Sequence, residues 1–139
     1  MLQSRNIAGG LTGPRCWRAK QLMYPVMLDV RGRRCVVIGG GPVALRKVFG
    51  LLEESAAVTV VAPRVVDALA ELSAAGRIRL ERRRFEAGDV VGALLVFAAT
   101  NETEVNRAVA AAGRAEGALV NVADDSDVSN IHLPARVVR

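Results

Sequence analysis

Two groups of residues are equipped for chemistry. The first is Gly39-Gly40-Gly41-Pro42-Val43-Ala44, which follows the β-branched run Cys35-Val36-Val37-Ile38. Gly39, Gly41 and Ala44 stand at the spacing G-x-G-x-x-G/A, the fingerprint of a dinucleotide-binding turn. Gly39 permits a tight turn, Gly41 lets the backbone approach a pyrophosphate, and Ala44 is small enough for the helix to lie close on its strand. Pro42 suits the first helical position, where its missing N–H is no loss. The free amides and positive dipole end of such a helix favour a phosphate.

The second group is acidic. Asp124, Asp125 and Asp127 follow the apolar run Ala118–Val122. They read in two ways: as a solvated, turn-forming loop, or as a general base or transient metal ligand at a sheet edge. A calcium loop is ruled out by the lack of its glycine and distal glutamate. His132, the one histidine, stands between Ile131 and Leu133 and reads as a packed residue. Cys16 and Cys35 have no metal-ligand spacing, and there is no resident metal set, Gly-x-Ser-x-Gly motif or nucleophile with a partnered base.

The elements that must position these groups are legible from periodicity. A strand at 35–38 leads to a helix over 42–54, whose stripe is Ala44, Val48, Leu51 and Leu52. Val58–Val61 is a second strand, stopped by Pro63, and 65–75 a second helix, ended by Gly76. Ile78–Leu80 is a short third strand, after which Arg82-Arg83-Arg84 reads as a solvated charge run. Residues 93–99 form a fourth strand. Asn101 is placed to cap the helix that runs to Glu116, with Glu104 as its reciprocal partner. Ala118–Val122 is a fifth strand. Strands alternating with helices predict an α/β domain, a Rossmann-like doubly wound parallel sheet of order 3-2-1-4-5. Ligands then lie beyond the carboxyl ends of the strands, where five stretches emerge: 39–43, 62–64, 85–86, 99–101 and 123–125. A dinucleotide would occupy the first, second and fourth, and the fifth would bring carboxylates towards the nicotinamide. The second stretch, Ala62-Pro63-Arg64, lacks the acid that usually holds the adenosine ribose. Arg64 either answers a 2′-phosphate, hence NADP, or is a surface arginine.

Composition narrows the class. The 139 residues are 51% hydrophobic and fit one globular domain. No apolar run reaches the roughly 18 residues of a membrane span. The net charge of +5 does not spread over the chain: Arg5, Arg15, Arg18 and Lys20 stand in an acid-free first 22 residues, and the remaining 15 basic and 14 acidic residues nearly cancel. A nucleic-acid partner is therefore not expected. Residues 1–22 carry breakers and no periodicity and read as a flexible leader, with an organellar transit segment as the other reading; the domain then spans 23–139. Without a disulfide framework the default compartment is the cytoplasm.

Several segments, in order, carry a family resemblance: Leu28-Asp29-Val30-Arg31-Gly32-Arg33, the turn Val37–Ala44 running into Leu45-Arg46-Lys47, Val58–Pro63, Ala98-Ala99-Thr100-Asn101, Val105-Asn106 and Asn121-Val122-Ala123-Asp124. From Tyr24 to Arg139 the chain resembles the N-terminal module of siroheme synthase, the precorrin-2 dehydrogenase/sirohydrochlorin ferrochelatase family. The resemblance implies NAD-dependent oxidation of precorrin-2 to sirohydrochlorin, with Fe²⁺ or Co²⁺ as a metal substrate in some members. It assigns cofactor contacts to Gly39, Gly41, Pro42, Val43, Pro63, Arg64 and Thr100, and proton abstraction to Asp124. Arg46, Arg136 and Arg139 are candidates, by charge, for the carboxylates of the substrate. The family continues past the position of Arg139 with a region that completes a homodimer and part of the substrate pocket. A non-catalytic dinucleotide-binding module is the alternative.

Overall fold

The computed structural model describes residues 23–123, 125 and 127–133; the leader, Asp124, Arg136 and Arg139 lie outside them. The elements are β1 (Arg34–Ile38), α1 (Pro42–Glu53), β2 (Ala57–Val61), α2 (Asp67–Ala74), β3 (Arg79–Glu81), a 3₁₀ turn (Ala87–Val90), β4 (Leu95–Ala98), α3 (Thr103–Ala115) and β5 (Leu119–Val122). The five strands are parallel, in the order β3-β2-β1-β4-β5. This is the predicted doubly wound sheet, with every strand and helix boundary within two residues of that expected.

Alternation along buried strands divides the core in two. Cys35 and Val37 of β1, Val58 and Val60 of β2, and Leu95 and Phe97 of β4 point to one face, where Ala44, Val48 and Leu51 of α1 and Leu69 of α2 cover them. Val36, Ile38, Val61, Val96, Ala98, Val120 and Val122 point to the other, under Val109 and Ala110 of α3 and Val90 of the 3₁₀ turn. Burial pushes the Cys35 thiol up, which keeps it a protonated, small core residue.

Register then sets where the loops emerge. Ile38 pairs with both Val61 and Ala98, and Ala98 pairs with Val122. Four strands therefore finish level, and the segments that follow them stand side by side along one edge. The outer edge of β5 is covered by a returning segment. Asn130 donates its N–H to the Val120 carbonyl (2.9 Å) and accepts the Val120 N–H on Oδ1 (2.6 Å). Ser129 Oγ accepts the Val122 N–H (2.8 Å), and Asn121 Nδ2 donates to the Ile131 carbonyl (2.9 Å). Polar side chains thus satisfy a strand edge that would otherwise be open.

One expectation needs correction. The charge run is not uniformly solvated: Arg83 makes a forked pair with Asp89 (2.5 and 2.9 Å), and Arg84 pairs with Glu102 (3.1 Å). Asp89 Oδ2 also accepts the Glu86 N–H (2.7 Å), closing a capping box around a 3₁₀ turn with no periodicity to announce it. Arg34 ties this turn to β1 by donating to the carbonyls of Asp89 (2.8 Å) and Val91 (3.1 Å).

The Asp89 side chain is only 8% exposed, and the Arg83 hydrogen bonds hold its carboxyl below the usual carboxylate range. A carboxyl with a depressed folded pKa stabilises the fold above its unfolded value, near 3.8, and loses that contribution as pH falls through the folded value. Asp89→Asn is therefore expected to lower Tm at pH 7 and to flatten its fall below pH 4. Thermal melts from pH 7 to 2 check this; parallel acid limbs for the two proteins would contradict it.

Candidate functional site

A cleft of about 1020 Å³ opens at the carboxyl ends of β1, β2 and β4. All seven cofactor-contact candidates line it: Gly39, Gly41, Pro42, Val43, Pro63, Arg64 and Thr100. Phe85 lines it too, so four of the five predicted stretches share this cleft. The fifth does not. Ala123 and Asp125 line a separate cleft of about 540 Å³, whose wall includes Val43. Val43 therefore belongs to both clefts.

The three glycines have three different reasons. Gly39 adopts φ +138°, and a Cβ there would collide with the Ala99 carbonyl. Gly40, the unassigned position of the fingerprint, lies against the Arg64 carbonyl, and its own carbonyl accepts the Val66 N–H (2.8 Å). Two loops are thus packed backbone to backbone. Gly41 is the opposite case: a Cβ there would meet no atom within 4 Å and would project into open space at the cleft.

The same turn starts α1. Gly41 is its N-cap, with no side-chain cap and no acid in the first turn, and Pro42 follows at its start. The leading amides keep their donor capacity, and the dipole favours an anion there. A pyrophosphate fits: there is space over Gly41, there are donors beneath it, and no carboxylate in the turn repels it.

The fourth stretch is held by a side chain from inside α3. Asn106, 8% exposed, accepts the Thr100 N–H (3.2 Å) and hydroxyl (2.6 Å) on Oδ1 and donates from Nδ2 to the Thr100 carbonyl (3.1 Å). The predicted Asn101 cap is not made: the N-cap is Glu102, whose N–H is taken by Thr100 Oγ1 (3.1 Å). Asn106 orients the loop after β4 from the first turn of α3, and the signal for it was a polar residue on the buried stripe of that helix.

A family described as putative NAD(P)-binding matches residues 26–135. The chain belongs to that family. Within the NAD(P)-binding family, its curated relatives include the siroheme synthase of Chromobacterium violaceum, 43% identical over 116 residues, which cover 84% of this chain and 25% of that protein. The precorrin-2 dehydrogenase of Priestia megaterium is 39% identical over 117 residues, 84% of this chain and 57% of that protein. Among solved structures, SirC, a precorrin-2 dehydrogenase, superimposes with a TM-score of 0.75 at 39% identity, over 84% of this chain and 57% of that one. The chain thus spans from a quarter to just over half the length of these relatives. The resemblance seen in the glycine turn and the segments after it extends through the domain.

The second cleft holds what the sequence left scattered. Arg46 and Lys47 of α1 line it, with Asn121 of β5 and His132 of the returning segment. His132, expected to be packed, is half-buried and faces this space. The acidic stretch turns after β5: the Asp125 N–H donates to the Val122 carbonyl (3.2 Å), and its carboxylate is 3.9 Å from Arg107. Asp124 lies outside the described residues, between two neighbours in the sequence that line this cleft.

Among the described residues no helix is long and apolar enough to cross a membrane.

Proposed function

We propose that this chain binds NAD in the first cleft and, as part of a siroheme pathway enzyme, oxidises precorrin-2 to sirohydrochlorin. The observation that supports this most is the pairing of clefts at one turn. The first is built for a dinucleotide, and the second meets it at Val43. A relative of 39% identity carries the name precorrin-2 dehydrogenase.

The oxidation removes a hydride and a proton from the macrocycle, and NAD supplies the hydride acceptor. The chain's own residues do the rest. The α1 amides over Gly41 hold the diphosphate, Pro63 and Arg64 flank the adenosine, and Thr100, clamped by Asn106, borders the nicotinamide half. Asp124 takes the proton, the role of a general base. NAD is preferred to NADP on the family resemblance alone; Arg64, which lines the cleft beside Pro63, is the feature that would answer a 2′-phosphate. Fe²⁺ or Co²⁺ insertion into the product, a homodimer and a cytoplasmic site belong to the same reading of the longer protein.

The test is incubation with precorrin-2 and NAD, followed by NADH absorbance. Asp124→Ala should lower turnover by about 100-fold or more, the usual contribution of a general base, with NAD affinity unchanged. Normal turnover in that variant would remove Asp124 from the reaction. NAD binding without any NADH from the wild type would instead mark a non-catalytic dinucleotide-binding module.

A further inference from the structure

Among the described residues, the second cleft carries more cationic than anionic side chains. Lys47 is half-buried, its ammonium 5.6 Å from the centre of the Phe97 ring. Burial and then the adjacent Arg46 pull its pKa down, so the site resists its charge. Yet among the described residues no carboxylate forms an ion pair with Arg46, Lys47 or His132. The one described acid in the cleft, Asp125, is turned to Arg107 at 3.9 Å. A half-buried Lys47 beside the exposed Arg46 is stabilised by an anion brought from outside.

The backbone fixes these groups independently of one another. Arg46 and Lys47 stand on the second turn of α1, whose register is set by Ala44 and Val48 in the core. His132 is brought over the end of β5 because Asn121 holds the Ile131 carbonyl. The N–H donors therefore converge from two elements far apart in sequence: Arg46 and Lys47 from α1, and His132 from the returning segment. The shared wall at Val43 places them next to the cofactor cleft, on the side away from Pro63 and Arg64.

We propose that the second cleft is a carboxylate-binding subsite for the substrate, with Arg46 and Lys47 as the charged anchors and His132 as a further N–H donor. This rests on the reading above, in which a polycarboxylate macrocycle is oxidised beside NAD. At about 540 Å³ the cleft takes one edge of such a molecule, and the ring extends from it towards the nicotinamide end of the first cleft. Of the three arginines picked by charge, Arg46 is the one the described residues bring to this cleft, and Lys47 and His132 join it.

The experiment uses uroporphyrin, a macrocycle with eight carboxylates, titrated into the full chain by fluorescence, with NAD titrated separately. The wild type should bind it, and Arg46→Gln and Lys47→Gln should each weaken binding by about tenfold, the loss of one charge-assisted contact. Lys47→Arg should retain most of the affinity, and NAD affinity should not change in any of them, which also reports that they fold. Arg46 is exposed, so its variant keeps the test open even where Lys47→Gln disturbs the packing on Phe97. Equal binding by wild type and both glutamine variants overturns the subsite. So does displacement of uroporphyrin by excess NAD, which would assign the cations to the cofactor, and so does a wild type that binds NAD but no uroporphyrin. The oxidation reading fails separately, on absence of NADH formation from precorrin-2.

Discussion

Gly41→Asp is expected to abolish NAD binding while leaving the fold at least as stable. The N-cap has φ −96° and ψ −166°, an extended conformation open to any residue, and a Cβ there meets nothing within 4 Å. Aspartate is a favoured N-cap, and its carboxylate would accept the first-turn amides that no side chain of the wild type reaches. The helix would gain a few tenths of a kcal/mol over glycine. The cofactor would meet a negative charge where its diphosphate should sit and would find the donors taken. Losing two charge-assisted hydrogen bonds at about 1.5 kcal/mol each already lowers affinity by more than about 100-fold. Calorimetric titration with NAD, beside a thermal melt, separates the two effects. Unchanged NAD affinity in a well-folded Gly41→Asp protein would mean that the diphosphate does not rest on α1.

The neighbouring glycines should behave in the reverse way. Gly39→Ala would place a Cβ against the Ala99 carbonyl at φ +138°, a backbone conformation that alanine rarely adopts. Gly40→Ala would drive its Cβ into the Arg64 carbonyl, with the Val65 Cα 2.9 Å away. Neither neighbour can rotate aside, because both are main chain pinned by adjacent bonds: Ala99 N–H to Ile38 O (2.8 Å) and Val66 N–H to Gly40 O (2.8 Å). Overpacking costs about 1–3 kcal/mol and backbone strain about as much again where it applies. Each variant should therefore lose about 2–5 kcal/mol, or roughly 10–20 °C in Tm for a domain of this size. Circular dichroism melts measure it. A drop of only a degree or two in both would show that the loops after β1, β2 and β4 are not locked together as described. Three adjacent glycines thus divide the work: two let strand-end loops pack on one another, and one leaves room for the ligand.

Much of this was legible from the chain. The runs Cys35–Ile38, Val58–Val61 and Leu95–Ala98 are buried on both faces, and such strands read as unbroken apolar stretches because parallel sheets are covered on both sides. Their alternation with helices leaves few sheet orders, given right-handed crossovers. The fingerprint named the turn, and register brought the predicted contacts to one cleft. What was not legible has a common cause. Arg83 with Asp89 and Thr100 with Asn106 are pairings between side chains, and Val122 with Ser129 joins a strand amide to a side chain of an irregular segment; no periodicity encodes them. Gly40 looked like a spacer because its partner, Arg64, is 24 positions away.

The sequence by itself determined which strand residues are buried, which way the sheet is wound and where a glycine turn opens the first helix. These follow from local patterns of apolar and glycine residues, each repeated or flanked by its own signals. The tertiary structure decided that the strand-end loops split into two clefts meeting at Val43, and that Arg46, Lys47 and His132 face the second. Those facts depend on the level ends of four strands and on the segment 129–131 folding back along β5, set by hydrogen bonds across the sheet rather than by any pattern along the chain.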